Sequence, residues 1–523
     1  MRIILVCGLL GLAVSSFAQE KYWVYFKDKA GVQLDVAATF HPAAIERRIL
    51  NGVPFPHISD LPVKAEYESL VFGLVDSVIY ASRWLNAVYV RASDIQIAEV
   101  AQLDFVQNVE KQRRMEVQLC EMATPMGFLE QLQARQMALM GGAHFDSLGL
   151  DGSGIRIAIF DGGFPQVNTH PVMEHIRSAG NIKATFNFSK PGKTIYSSNS
   201  HGLSTMSNVG GIWDGKKLGH ATGATFLLAV TEINREIYKE EVWWLAAAEW
   251  ADQNGAHIIN SSLGYTSKRY FPEQMDGSYS LVSRAATMAS EKGILVVNAA
   301  GNEGDDKWTV IGAPADAPMV LSVAGVDPVT ERKIGFSSYG PTAIGDRKPN
   351  VSAPATTVAA IKGRKVGSVS GTSFSSPLVA GFAACVMQQF PGITRAELFE
   401  AIEKSGHLYP YYDYAHGYGI PQAHLATNFD LEVAPTFQLK KQTGQLRLFV
   451  NADVPTNQRT NRFLGQEYLY FHLEDSDGKL LDYKVLDVFQ EEVYSWIPED
   501  LMHAAKLRIH YRGYTKTINL TDL

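Results

Sequence analysis

Four short stretches of this chain carry residues able to do covalent chemistry together. In order they are Asp161 in Ile159-Phe160-Asp161-Gly162-Gly163, His201 in Asn199-Ser200-His201-Gly202, Asn302 in Ala299-Ala300-Gly301-Asn302-Glu303-Gly304, and Ser373 in Gly371-Thr372-Ser373-Phe374-Ser375-Ser376-Pro377. A serine hydroxyl is a poor nucleophile at neutral pH. It needs a base to take its proton, an acid to orient that base, and N–H donors for the oxyanion that forms on the attacked carbonyl. Ser373 precedes the apolar, small-residue run Leu378 to Met387, which reads as a buried helix with Pro377 in its first turn. Gly371 permits a sharp turn before it, so the hydroxyl falls where unpaired backbone N–H groups and the positive helix end favour negative charge. Taken singly, each residue has a plainer use: a strand-end Asp caps a turn, a lone His is structural, and a Ser before a helix is an N-cap. Capping suits Ser375 or Ser376 better than Ser373. An esterase-type elbow is disfavoured, since Ser375 stands where G-x-S-x-G needs its second glycine and the acid precedes the serine.

The elements that must hold these residues have a common texture from about residue 131 to 427. Apolar runs at 155–160, 224–230, 257–260, 294–297 and 320–323 alternate with helical stretches such as 241–253 and 281–291. Strands buried on both faces and separated by helices predict a parallel α/β sheet, and ligands of such sheets bind beyond the carboxyl ends of the strands. Asp161, Ser262-Leu263-Gly264 and Ala299-Ala300-Gly301-Asn302 all follow such ends. A later helix opens with the capping box Thr394-Arg395-Ala396-Glu397 and closes near Gly406.

The flanks differ. Residues 21–110 read as a compact α+β unit: strands at 22–26, 77–82, 87–91 and 106–110, a short helix at 41–50, and a helix capped by Ser93 running through Ala101. A polar stretch at 111–126 reads as a linker of the kind where proteolytic cuts concentrate. The unit is either a permanent domain or a removable propeptide. After residue 427, strand-like runs at 446–450, 468–473, 507–511 and 517–520, with Asp477-Gly478 as a hairpin, predict a C-terminal β-sandwich without chemistry of its own.

Composition narrows the class. The 523 residues are 46% hydrophobic and carry 47 basic against 54 acidic side chains, for a formal charge of −7. No concentrated Lys/Arg face argues for nucleic acid as a partner. Met1-Arg2, an apolar run from Ile3 to Val14 and Ser16-Phe17-Ala18 have the pattern of a secretory signal cut after Ala18, too short to span a bilayer. The expected location is therefore secreted: extracellular, periplasmic or at the cell surface. Beyond Cys7 in that signal only Cys120 and Cys385 remain, too few for a disulfide framework, and Cys385 on an apolar helix is a small core residue.

Taken together, the four motifs resemble the subtilisin-like serine proteases, the subtilases, whose order of acid, histidine, oxyanion asparagine and serine they share. Supporting likenesses are Asn260-Ser261-Ser262-Leu263-Gly264, Gly312-Ala313-Pro314-Ala315, Phe336-Ser337-Ser338-Tyr339-Gly340-Pro341, the segment Lys348 to Pro354 and Gly417-Tyr418-Gly419. The resemblance implies a subtilisin-like parallel sheet flanked by helices, with a propeptide-like α+β domain before it and the β-sandwich-like domain after it. The implied boundaries are residues 1–18 for the signal, 19–120, 121–428 and 429–523.

It further implies a secreted endopeptidase in which Asp161, His201 and Ser373 form a triad and Asn302 stabilises the oxyanion. Ser262, Leu263 and Gly264 would pair with the substrate backbone, and Ala299, Ala300 and Gly301 would line the pocket beside the scissile bond. Partners are then protein or peptide substrates and the chain's own N-terminal propeptide. No cofactor is needed for the chemistry. Relatives often hold structural calcium, but no ligand set here identifies a site, and Asp475-Ser476-Asp477-Gly478 is more economically a turn. The pocket residues predict an apolar or aromatic side chain before the scissile bond, while Glu303, Asp305 and Asp306 nearby offer a basic preference instead. Three positions depart from the family pattern: Gly162 stands where Ser or Thr is usual, Leu203-Ser204-Thr205-Met206-Ser207 replaces the usual run after His201-Gly202, and Gly219 to Ala224 differs from the usual box. The competing readings are a catalytically silent fold of this family that binds peptides or proteins, and a structural envelope protein whose β-rich tail does the work.

Overall fold

The computed structural model describes residues 20–112, 126–197, 199–233, 235–428, 434–450, 468–489 and 491–520. The signal-like stretch, most of the 111–126 linker, Cys7 and Cys120 lie outside the described residues. Two compact units divide the chain. One is Met1–Val36 with Pro56–Arg113; the other is Ala37–Phe55 with Arg114–Leu523.

In the first unit an antiparallel sheet runs in the order Ser77–Ser82, Ala87–Ala92, Glu20–Phe26, Val106–Lys111. Alternate apolar side chains close its core, among them Tyr22, Val24, Phe26, Val88, Val90 and Val106. Ser93 caps the helix Asp94–Val100 as expected, in a reciprocal box with Gln96. A helix at Ala65–Leu74 was not legible beforehand. It begins at Lys64 with no side-chain cap, so only Glu66 and Glu68 in its first turn mark its start.

The second unit is built on a seven-stranded parallel sheet. Its order is Val351–Pro354, Leu321–Val326, Leu295–Ala299, Ile258–Ser261, Arg156–Asp161, Thr225–Val230, Ile182–Asn187. The five expected strands are all present, within a few residues of their predicted ends. Every residue from Ile258 to Ser261, Leu295 to Ala299 and Leu321 to Val326 is buried, which is why these strands read as continuous apolar runs. The first strand in sequence, Arg156–Asp161, lies inside the sheet, with the next strands going to one side of it and the later ones to the other. That reversal is the switch point at which parallel sheets open a crevice. The helix Thr372–Gln389 packs on four strands, and Tyr238–Gln253 and Leu281–Glu291 pack on each other.

Ala37–Phe55 belongs to this second unit, and its helix Pro42–Leu50 is pinned there. Arg47 and Arg48, both buried, pair with the buried carboxylate of Asp252; the Arg48 contacts are 2.9 and 3.1 Å. The Arg395 N–H donates to Asn51 Oδ1 at 2.8 Å.

At the C-terminus, Phe437–Gln442, Gln445–Val450 and Glu492–Trp496 form one sheet and Leu480–Asp487, Tyr468–Glu474, Lys506–Tyr511 and Tyr514–Asn519 another. Leu448, Leu469, Phe471, Trp496, Leu507 and Ile509 share one core, which makes the pair a sandwich. Asp477-Gly478 turns the expected hairpin, with Asp475 Oδ1 accepting the N–H groups of Asp477 and Lys479.

Candidate active site

Asp161 is the last residue of its strand and His201 the first of the helix His201–Gly210. His201 Nδ1 lies 2.9 Å from Asp161 Oδ2. The same oxygen accepts the Thr205 hydroxyl at 3.0 Å, and Asp161 Oδ1 accepts the Gly162 N–H at 2.7 Å. A carboxylate only 1% exposed is thus held by three donors, as a buried charge requires. Thr205 is one helical turn beyond His201 and faces the same way. The departures at Gly162 and Leu203-Ser204-Thr205 therefore leave the acid fully bonded. Gly202 is forced: a Cβ there would stand 2.3 Å from the Gly163 carbonyl oxygen and 3.0 Å from Asp161 Cβ.

Ser373 is the second residue of Thr372–Gln389, and Gly371 enters that helix at φ 147°. The Ser373 hydroxyl donates to the Ser262 carbonyl at 3.1 Å. Two expectations about this segment are corrected. The helix already begins at Thr372, so Pro377 falls in its second turn, and its missing N–H leaves the Ser373 carbonyl without the usual helical partner. Ser375 and Ser376 are inside the helix rather than caps: Ser375 Oγ donates to the Ala353 and Pro354 carbonyls, and Ser376 Oγ to Asn260 Oδ1 at 2.9 Å.

Asn302 Oδ1 accepts the Thr372 N–H at 2.8 Å and the Thr372 hydroxyl at 3.0 Å. Among the described residues, neither Asn302 Nδ2 nor the Ser373 N–H donates to any acceptor. The latter is one of the first-turn amides that a helix cannot satisfy internally. Gly301, at φ 118°, has no room for a side chain, because a Cβ would meet Glu303 Oε2 at 2.6 Å and Ser338 Oγ at 2.7 Å.

Ser262-Leu263-Gly264 continues the Ile258–Ser261 strand beyond the sheet. Its Leu263 carbonyl takes the Asn298 amide at 3.0 Å, while neither the N–H nor the C=O of Gly264 has a partner among the described residues. An unpaired backbone edge of this kind can accept an extended peptide. Across from it, Ala299 and Ala300 are buried. Two of the acidic residues nearby, Glu303 and Asp306, accept hydrogen bonds from the chain itself. Glu303 Oε2 accepts the Asn302 N–H and the Ser338 hydroxyl, and Asp306 accepts the Trp308 N–H.

Sequence reading passed over Thr205, Thr372 and Glu232. Glu232 follows the strand Thr225–Val230 by two residues, so the strand-end rule that singled out Asp161 could have found it. Its carboxylate, an Asp161 oxygen and a His201 ring nitrogen all lie within 4.8 Å of one another, the one convergence of three metal-ligating side chains among the described residues. It does not suit calcium, which takes six to eight oxygen ligands, and Asp161 is already committed to hydrogen bonds. Burial, with Asp161 close by, pushes the Glu232 carboxyl up to about 8, the neighbouring His201 opposing it.

No helix among the described residues is long and apolar enough to cross a membrane. Residues 21–124 match the peptidase S8 propeptide domain of Bacteroidota, and residues 152–419 match the subtilase family. A thermostable alkaline protease of Halalkalibacterium halodurans is 32% identical over 258 residues, covering 49% of this chain and 63% of that protein. Serine protease AprX of Bacillus subtilis is 30% identical over 285 residues, covering 49% and 61%. The match thus spans less than two thirds of these relatives. A crystal structure of MycP1 with its N-terminal propeptide removed aligns with 58% of this chain and 98% of its own, at 21% identity and a TM-score of 0.47. With half the chain matched and the acid–histidine pair in place, this protein belongs to the subtilase family.

Proposed function

We propose that this chain is a secreted serine endopeptidase that hydrolyses peptide bonds through an acyl-enzyme. The observation that carries the reading is the pair of unoccupied donors, Asn302 Nδ2 and the Ser373 N–H, beside a hydroxyl on the same helix start, with the Asp161–His201 pair bonded at 2.9 Å. His201 takes the Ser373 proton as the hydroxyl attacks the carbonyl and returns it to the leaving amine. Asp161 fixes the imidazole tautomer and stabilises its charged form. The two donors hold the oxyanion, and the Gly264 edge pairs with the extended substrate. The proposed division is signal 1–18, propeptide-like domain 19–120, catalytic domain 121–428 and C-terminal domain 429–523, the last without a chemical role. Met1 to Ala18 is the basis for proposing export. An apolar or aromatic side chain before the scissile bond follows from the Ala299-Ala300-Gly301 wall.

The test is labelling of the exported protein with a fluorophosphonate, run beside Ser373→Ala while precursor size is followed. Labelling of wild type alone, with the variant held at precursor length, supports both the triad and self-processing. A folded, processed protein that does not label would instead be a silent peptide-binding member of the family.

A further inference from the structure

Four glutamates stand on the loop and first helical turn that follow the Thr225–Val230 strand, and three of them are engaged. Glu236 pairs with Lys268 at 2.8 Å. Glu240 accepts the N–H groups of Ile233 and Arg235 at 2.9 and 3.3 Å, which fixes the loop. Glu241 receives Arg269, the Tyr270 hydroxyl and the Val282 N–H. Glu232 alone has no hydrogen bond or ion pair among the described residues, although it is half-buried beside Asp161 and His201. The adjacent cations, Lys268 and Arg269, are already taken by Glu236 and Glu241. A desolvated, unpartnered carboxylate is costly to keep unless something arrives to meet it.

The sheet order says what arrives. Ser262-Leu263-Gly264 extends the Ile258–Ser261 strand, which lies between Leu295–Ala299 on one side and Arg156–Asp161, then Thr225–Val230, on the other. Side chains of an extended peptide alternate in direction. If the residue before the scissile bond turns towards Ala299-Ala300-Gly301, the one before that turns towards His201 and Glu232. We propose that Glu232 is a specificity determinant that receives the lysine or arginine side chain of a substrate at the second position before the scissile bond. This rests on the peptidase reading of the site. Asp161, Glu240 and Glu236 act on Glu232 as further negative groups, with His201 opposing them, so the field there favours a cation. The carboxyl, pushed up to about 8 while no cation is present, ionises fully when an ammonium or guanidinium binds. Arginine can engage it through two N–H donors and lysine as a point charge.

The experiment uses the full chain and a peptide series varying only that position among Lys, Arg, Leu, Ala and Glu. In wild type, kcat/KM for Lys and Arg should exceed that for Leu by tenfold or more, mostly through KM. Glu232→Gln should bring the ratio to within about threefold of unity, and Glu232→Lys should favour Glu. Binding of the Lys and Leu peptides to Ser373→Ala, with and without Glu232→Gln, gives the same comparison without turnover. A Lys-to-Leu ratio that is the same with Glu232 and with Gln overturns the proposal. Failure of fluorophosphonate labelling, with the binding preference for Lys retained, overturns the peptidase reading and leaves Glu232 as the recognition residue of a silent fold.

Discussion

Asn302 gives its side-chain oxygen to the Thr372 N–H, 2.8 Å away, and to the Thr372 hydroxyl at 3.0 Å. With the oxygen committed, the amide nitrogen and the Ser373 N–H both stay without an acceptor among the described residues. Thr372, the residue before Ser373, thus orients the amide that the proposed mechanism uses as an oxyanion donor. Asn302→Ala should lower kcat by about 10²–10³ with little change in KM, the loss seen when subtilisin loses its asparagine donor. Asn302→Asp should be no better, because an ionised carboxylate cannot donate. Thr372→Val, which keeps the backbone N–H but loses the hydroxyl, should cost less. Steady-state kinetics on one peptide separates the three, and an unchanged kcat in Asn302→Ala would remove Asn302 from the mechanism.

Asp161→Asn keeps the shape of the pair but supplies an amide where His201 needs an acceptor. A fall in kcat of about 10⁴ is expected near pH 7. Thr205→Val, which removes one donor to Asp161 Oδ2, should cost about tenfold or less, because His201 and the Gly162 N–H still hold the carboxylate. Equal losses in the two variants would contradict this ranking.

Asp252 is shared as an ion-pair partner by the buried guanidinium groups of Arg47 and Arg48. Asp252→Ala removes the carboxylate these two buried cations share and should destabilise the precursor by about 3–5 kcal/mol. Denaturant unfolding in the Ser373→Ala background, where self-processing is blocked, measures it. The triple change Arg47→Met, Arg48→Met, Asp252→Leu should recover most of the loss; if Asp252→Ala were within 1 kcal/mol of the parent, the ion pair would be irrelevant to folding.

His220 is buried and His257 half-buried, and desolvation carries their pKa values down to about 3 and about 4. His220 sits against the Phe145 and Phe382 rings with Nε2 unpaired among the described residues. A base with a depressed folded-state pKa binds protons more readily when unfolded. Stability should therefore be unaffected above about pH 6.5 and fall as pH drops through the interval down to about 4, by at most about 1.4 kcal/mol per pH unit for each histidine. His220→Phe should flatten that fall in Tm between pH 6.5 and 5. An identical slope in the variant would count against His220 as a source of acid sensitivity.

Much of the site was legible because it depends on local rules. Asp161, Ser262-Leu263-Gly264 and Asn302 follow apolar strands buried on both faces, and the flanking glycines mark approaches too close for a Cβ, as at Gly202 and Gly301. The capping boxes at Ser93 and Thr394 were equally plain, since the partners are three residues apart. Less regular elements escaped. The strands Ile182–Asn187 and Leu480–Asp487 are only partly buried and carry no clean alternation.

The sequence by itself determined the order of acid, imidazole, amide and hydroxyl, the parallel α/β frame and the β-rich tail, because motif spacing and burial periodicity are properties of neighbouring residues. The tertiary structure alone decided which groups complete the site. Thr205 reaches Asp161 across 44 positions, Thr372 orients Asn302 across 70, and Arg48 meets Asp252 across 204. Glu232 gains its importance only because its strand lies beside that of Asp161 in the sheet. Such pairings come from sheet order and chain crossover, which bring distant strand ends together at one edge, and no local pattern in the chain records them.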